Sequence, residues 1–501
     1  MKSSIIGQTE HIPAFVTFAN MKMSVLLKSQ HQGVILLLLI VFSSTIVRSQ
    51  VPEPPANPTN MQFSNVKTYG FTMSFTPSVA YGFLVAKSAN PIAWTPQDGV
   101  LYQVGQGVGN GAKIVAVDTS GNSSFNLREV VENTKYYLAV FAFNGWGNAI
   151  NYKQTDPLFD SVVSAAYTPQ SYFAGIDSSS GNFINELHNL INPHTVVPYV
   201  SYKNLIIPAV FERDTIGGGR VVNCEYSNFT TTYQPPFDFT AQKYNREHAL
   251  PKSWMHTGGN TNNADGADYH NLLLTRDVPN QTRSNYPLGI VVNITSTFGE
   301  SKFGFDAMGN QVFEPMDARK GDAARNMFYQ MICYNGNGGI WGFDYLLTKA
   351  PAQDQNILKL WNAQDPPDKF ERTKDEYIFS IQGNYNPFIA YPNWANCINW
   401  DSLVKTNLCG AISGIESGLS SFPLNIFPNP AGSFVKIELD DFEGMAAEFS
   451  ITDVLGREVK REIVQLTYPY LSIADLPNGF YTISTQTQKR YYIKRLLIVQ
   501  R

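Results

Sequence analysis

Hydrophobic periodicity changes twice along this sequence, so no single layer architecture can satisfy all of it. Short alternating runs, Phe71–Phe75, Gly82–Ala86, Lys113–Val117 and Tyr136–Asn144, are separated by Gly, Pro and Asn turns, a β-sandwich pattern. The spacing then becomes helical at Phe183, Ile184, Leu187, Leu190 and Ile191, and again through Ala323–Ile332. Alternation returns at Val435–Leu439, Phe449–Arg457 and Leu476–Ile483. With 501 residues, the chain has room for three bodies at about 150 residues each.

Composition supports folded, β-rich domains: 43% of residues are hydrophobic and only 16% charged, with 26 Tyr and 32 Phe. The formal charge of -4 gives no global attraction for nucleic acid. Any such attraction must come from local cations such as Arg246, Lys252, Arg276 and Arg283.

The apolar run Val34–Phe42 is too short to span a bilayer and ends in small polar residues. It reads as a secretory signal over 1–49 with cleavage near Ser49, and with Met21 or Met23 as the true start. An uncleaved anchor is the alternative, and no other stretch is apolar enough to cross a membrane. The segment 50–168 carries no cluster of His, Asp, Glu or Cys and reads as a spacer or weak binding module. A mixed α and β domain follows at 169–410, then a small-residue linker at 411–421 and a β-rich segment at 422–501. In an exported chain the four cysteines favour disulfides, with Cys224–Cys333 and Cys397–Cys409 the expected pairs. No Cys-x-x-Cys pair suggests structural zinc.

Chemistry concentrates between Tyr244 and Asn285. Cutting a phosphodiester needs a base for water, positive charge on the phosphate oxygens and help for the leaving oxygen. His248 suits the base, since neutral imidazole is abundant near pH 7. Glu247 and Asn280 offer the oxygen ligands that one Mg²⁺ prefers, with Ca²⁺ or Mn²⁺ as substitutes. Arg246 or Arg283 can grip a phosphate with forked donors. Neighbours on a regular strand face opposite ways, so Glu247 and His248 are expected at a bend. A second strand is then expected near Tyr269–Leu273, and a helix starting near Pro279 that carries Asn280. His270, Asn271 and Asn285 are supporting candidates, and His256 reads as surface.

Three blocks carry a resemblance: Asn245-Arg246-Glu247-His248-x-x-Pro251-x-Ser253, Asp268-x-His270-x-Leu272, and Asn280-x-x-Arg283-Ser284-Asn285-Tyr286-Pro287. They resemble the endonuclease I family of secreted nucleases, in the ββα-metal or His-Me finger group. The likeness continues through Phe313-Glu314-Pro315, Lys320-Gly321-Asp322, Trp361-Asn362 and Gln382-Gly383-Asn384, nearly spanning Ser171–Asp401. It implies His248 as general base, Glu247 and Asn280 as Mg²⁺ ligands, and cleavage of DNA and RNA with little sequence preference, leaving 5′-phosphates. Leu274, Tyr385 and Ala390 depart from the family pattern, and the loss of a cation at 385 is expected to weaken substrate grip. The run Thr134–Tyr137 with Phe141–Asn144 and Gly147 resembles the penultimate strand of fibronectin type III modules. Phe427-Pro428-Asn429-Pro430, Asp453-x-x-Gly456 and Leu476-x-x-Gly479-x-Tyr481 resemble the sorting domain of the bacterial type IX secretion system, which implies secretion machinery as a partner.

The expected architecture is therefore multidomain: a fibronectin III-like β-sandwich, an α+β nuclease domain with a ββα-metal motif, and a small C-terminal β-sandwich. The rival functions are an RNA-selective nuclease and an inactive adhesin that binds nucleic acid or glycan.

Overall fold

The computed structural model describes residues 51–255, 257–334, 353–406, 420–439, 446–454, 457–465, 469–486 and 490–499. The expected signal, most of the linker, His256 and Cys409 lie outside these. No helix among the described residues is long and apolar enough to cross a membrane.

The first body is a two-sheet sandwich. One sheet pairs Thr59–Ser64, Phe71–Thr76 and Ser124–Leu127. The other centres on Gly82–Ser88 and Lys135–Asn144, with Ala112–Asp118 on one side and Leu158–Val163 on the other. The long strand Lys135–Asn144 is buried on both faces because its alternate residues serve different cores. Tyr136, Leu138, Val140 and Ala142 face the inter-sheet core with Phe71, Met73 and Val85. Ala139, Phe141 and Phe143 pack under a long loop with Tyr102, Ile114 and Tyr152.

This sandwich is fastened to the body that follows it rather than spaced from it. Arg128 pairs with Asp214 at 2.8 Å and with Glu212 at 3.3 Å, and Glu132 pairs with Arg372 at 2.9 Å. The Tyr167 hydroxyl bonds Asp375, and the Tyr69 ring meets Tyr377 edge-on at 5.0 Å.

The middle body is mixed α and β around one large core. Helix Lys320–Cys333 is buried along its whole length. Its apolar side, Ala323, Ala324, Met327, Phe328, Met331 and Ile332, joins Phe183, Leu187, Trp361 and Trp400 in that core. Its Arg325 is tolerated there because Glu371 accepts from Nε at 2.7 Å and Asp322 from Nη2 at 3.0 Å. Helix Phe183–Ile191 forms where its spacing predicts. Helix Lys369–Gln382 is capped by Asp368, whose carboxylate accepts the Glu371 N–H, and stops at Gly383 with a left-handed φ of 84°. Tyr385 is buried: its ring stacks on Phe379 at 3.9 Å and its hydroxyl bonds Glu376 at 2.8 Å.

The third body joins two sheets through Ser420–Phe427, which pairs in parallel with Arg490–Ile498 at its start and antiparallel with Phe434–Leu439 at its end. Leu424, Val435, Ile437, Phe449, Ile451 and Ile483 fill the space between.

The expected Cys224–Cys333 disulfide does not form. Both are buried free thiols, committed to different elements. Cys224 Sγ accepts the Arg276 N–H at 3.2 Å, whereas Cys333 ends the central helix and contacts the Ile191 carbonyl at 3.6 Å. The other expected pair includes Cys409, outside the described residues.

Candidate active site

Tyr244–His248 and Leu272–Arg276 form a two-stranded antiparallel ribbon, and the helix Asp277–Arg283 follows the second strand directly. The ribbon is regular: Glu247 stands opposite Leu273 and His248 opposite Leu272. The expected bend at Glu247 is absent. The second strand begins three residues later than Tyr269, because Tyr269–Asn271 is a 3₁₀ turn capped by Asp268. The helix begins at Asp277, two residues before Pro279, and still carries Asn280.

A cleft of about 380 Å³ reconciles these facts. It is lined by four consecutive strand residues, Asn245, Arg246, Glu247 and His248, together with Tyr199, Lys252, Asn280, Arg283 and Asn285. The cleft takes in residues of both strand faces, and among the described residues Tyr244–His248 pairs only with Leu272–Arg276. Glu247 and His248 therefore line one cleft although alternation turns them to opposite faces.

His248 is buried, and its Nε2 lies 3.0 Å from the Gly266 carbonyl. In the neutral ring Nε2 must carry the proton to make that bond, leaving Nδ1 as the lone-pair nitrogen. Burial pushes the imidazole down to about 4, so it is neutral at physiological pH. The carbonyl comes so close because residue 266 is glycine: a Cβ there would stand 2.5 Å from the Asn260 oxygen.

Glu247 is also buried, and desolvation pushes its carboxyl up to about 7, against the pull of Arg283 and Tyr226. Its Oε1 accepts from Arg283 Nη1 at 2.8 Å and from the Tyr226 hydroxyl at 3.3 Å. Asn280 is half-buried on the cleft wall, with no side-chain partner among the described residues. A buried carboxylate at a marginal pKa beside a free carboxamide oxygen is a donor set that suits a hard divalent cation.

Arg283 lines the cleft with its guanidinium already bonded to Glu247. It is 1% exposed and also donates to the carbonyls of His248 at 2.9 Å and Ala249 at 2.6 Å, so it ties the helix to the end of the strand. Arg246 remains at the cleft. Asn285 is exposed and donates to Ser253 Oγ at 3.1 Å.

Asn271 and His270 are buried outside the cleft. Asn271 accepts the Leu250 N–H at 2.8 Å and returns a bond to the Leu250 carbonyl at 3.1 Å, shaping the exit from His248. His270 contacts the Asn384 carbonyl at 3.0 Å and Asp375 at 3.4 Å. Tyr199, Tyr226 and Gly266 were missed by sequence reasoning. Tyr199 lies 47 residues before Arg246, and the Gly266 contribution is a backbone carbonyl, so neither leaves a local signal.

A second cluster, His194, Asp268 and Cys333, brings three ligand-type atoms within 4.8 Å of one another. Its carboxylate is already occupied. Asp268 Oδ2 accepts from the Tyr329 and Tyr334 hydroxyls at 2.7 Å each, and Oδ1 from Gln382 at 2.9 Å and the His270 N–H at 3.0 Å. The Cys333 sulfur in turn contacts the Ile191 carbonyl at 3.6 Å. The cluster fits a core hydrogen-bond network better than a metal centre.

Comparison with known proteins places these features. The family model described as Endonuclease I matches residues 182–393, and that described as Secretion system C-terminal sorting domain matches 425–499. An extracellular ribonuclease of Bacillus subtilis is 29% identical over 234 residues, covering 45% of this chain and 77% of that protein. A periplasmic deoxyribonuclease of Aeromonas hydrophila is 29% identical over 122 residues, 24% of this chain and 46% of that one. Among solved structures, the FN3 domain of human collagen XX aligns at 18% identity over 23% of this chain and 100% of that one, with a TM-score of 0.15. The sandwich assignment rests on its own strand pairing rather than on that score. The chain thus carries a segment that matches the Endonuclease I model, followed by one that matches the secretion-system C-terminal sorting domain, and the sorting segment marks it for export.

Proposed function

We propose that the cleft hydrolyses phosphodiester bonds of DNA and RNA with little sequence preference, leaving 5′-phosphate ends. The observation that carries this reading is His248 itself, a buried neutral imidazole whose Nε2 is committed to the Gly266 carbonyl. Its Nδ1 takes the proton from the attacking water. Arg246 holds a phosphate, and Arg283 acts as a positioning residue that fixes Glu247 and the backbone after His248. Glu247 and Asn280 would hold one Mg²⁺, which when bound supplies positive charge to the phosphate and leaving oxygens. Lys252 adds a cation at the rim. The names of the similar proteins include both ribonucleases and deoxyribonucleases, which supports a substrate range spanning both acids.

The test is cleavage of supercoiled plasmid and of structured RNA, each with Mg²⁺ and with chelator, by wild type and His248→Ala. Wild type is expected to cut both with Mg²⁺ and neither with chelator, and His248→Ala to lose at least ~100-fold. A His248→Ala protein as fast as wild type refutes the mechanism. RNA cut with the plasmid spared would favour an RNA-selective enzyme.

A further inference from the structure

Arg246 is held on both faces of its guanidinium. The central carbon lies 3.9 Å from the middle of the Tyr199 ring and 4.3 Å from that of Phe239. Its Nη1 donates to the Tyr199 carbonyl at 2.9 Å, and its Nε is buried with no partner among the described residues. The same Tyr199 ring lies over the His248 imidazole, 5.6 Å between centres and 19° from parallel. Arg246 and His248 are two residues apart on one strand and so share a face, and one tyrosine ring spans both. Tyr199 enters from the turn Tyr199–Ser201 and Phe239 from the short helix Phe239–Gln242, so separate segments converge on one side chain.

We infer that Tyr199 is a positioning residue for this reaction, aligning the phosphate grip of Arg246 and the ring plane of His248 together, with Phe239 closing the second face of Arg246. The inference rests on the nuclease reading above. Rings on both faces leave only the in-plane N–H groups of the guanidinium to meet a ligand, which is the plane in which it bonds phosphate oxygens. A free arginine must surrender side-chain freedom on binding, whereas a clamped one has surrendered it on folding.

The test uses the full chain carrying Tyr199→Phe, Tyr199→Ala, Phe239→Ala, Arg246→Ala and the double Tyr199→Ala/Arg246→Ala. Two readouts are taken: steady-state cleavage of RNA, and binding of a fluorescein-labelled single-stranded oligonucleotide in EDTA. Tyr199→Phe keeps both rings in place and is expected to stay within about threefold of wild type. Tyr199→Ala is expected to weaken oligonucleotide binding and raise KM about tenfold, and to lower kcat about tenfold as well. In the Arg246→Ala background the binding and KM losses should vanish while the kcat loss persists.

Equal losses of binding and of KM in both backgrounds, or a Tyr199→Ala protein within about threefold of wild type in binding, KM and kcat, overturn the inference. If Tyr199→Ala does not fold, Phe239→Ala, which touches only the arginine side of the clamp, should weaken binding with kcat unchanged, and unaltered binding overturns the inference. If the wild type cuts nothing, the nuclease reading has failed, yet oligonucleotide binding still decides the clamp. A loss in Tyr199→Ala that is absent in the Arg246→Ala background supports it, and no loss refutes it.

Discussion

Arg283 Nη1 stands 2.8 Å from Glu247 Oε1, with both side chains buried, and the same guanidinium bonds the carbonyls of His248 and Ala249. One side chain thus neutralises the candidate ligand and fixes the backbone that carries the candidate base. Arg283→Ala strips a buried carboxylate of its cation, leaving it the Tyr226 hydroxyl, and takes a donor from two carbonyls, and is expected to cost ~3–5 kcal/mol in urea unfolding. Arg283→Lys should recover little, because a single ammonium cannot reproduce a planar fork to three acceptors. A lysine variant with wild-type stability and activity would reduce the role to charge alone.

With Glu247 as a ligand, as proposed, cation affinity should depend on pH in a definite direction. Burial pushes its carboxyl up to about 7, so below that pH a proton competes with the cation, and above it the carboxylate is free. The rise in Tm produced by Mg²⁺ should be largest and flat above pH ~7, and the apparent affinity should fall about tenfold per unit below it. Glu247→Gln should abolish that slope. A Mg²⁺ response that ignores pH between 5 and 8, or survives Glu247→Gln, removes Glu247 from the ligand set.

Asn271 presents a subtler target, because it touches the exit loop rather than the cleft. Its side chain satisfies both backbone groups of Leu250, and its own carbonyl accepts the Ala249 N–H at 3.0 Å. Asn271→Ala buries two unpaired backbone groups and should cost ~2–4 kcal/mol. With the residues after His248 loosened, kcat should fall more than KM rises. Unchanged kcat in a folded Asn271→Ala protein would show that the loop does not govern the imidazole.

What the sequence made legible follows from which signals are local. The helix Phe183–Ile191 and the strands of the first body were readable because their apolar spacing is set by the face each element buries. The pair Glu247-His248 marks a candidate site in the sequence, but the bend expected there is absent, because the strand stays regular and one cleft is lined by both residues. Arg283 could be read as a phosphate grip because carbonyl and phosphate oxygens accept the same donors, and only the fold decides which are near. Tyr199 lies too far along the chain from Arg246 to be paired with it by any spacing rule. The cysteines misled because parity suggests partners without bringing Cys224 and Cys333 together.

Tyr167 joins the first body to the second through Asp375, a carboxyl that burial pushes up to about 8 and that also accepts the Asn386 N–H at 3.0 Å. Removing residues 51–168 would expose this carboxyl, strip Glu132 from Arg372 and uncover the Tyr377 ring. The truncated protein should therefore melt ~5–15 °C lower, as expected for ~2–4 kcal/mol in a domain of this size. The pH dependence gives a second reading. In the full chain Asp375 holds a proton that the unfolded chain releases near the ordinary carboxylate pKa of ~3.9, so its contribution is fully present below that value and is lost as pH rises through about 8. Stability of the full chain should decline from pH 6 to 8, and that decline should be shallower in the truncated protein, where water reaches Asp375 and its pKa relaxes. Identical melting temperatures and identical pH slopes would return the sandwich to the role of a spacer.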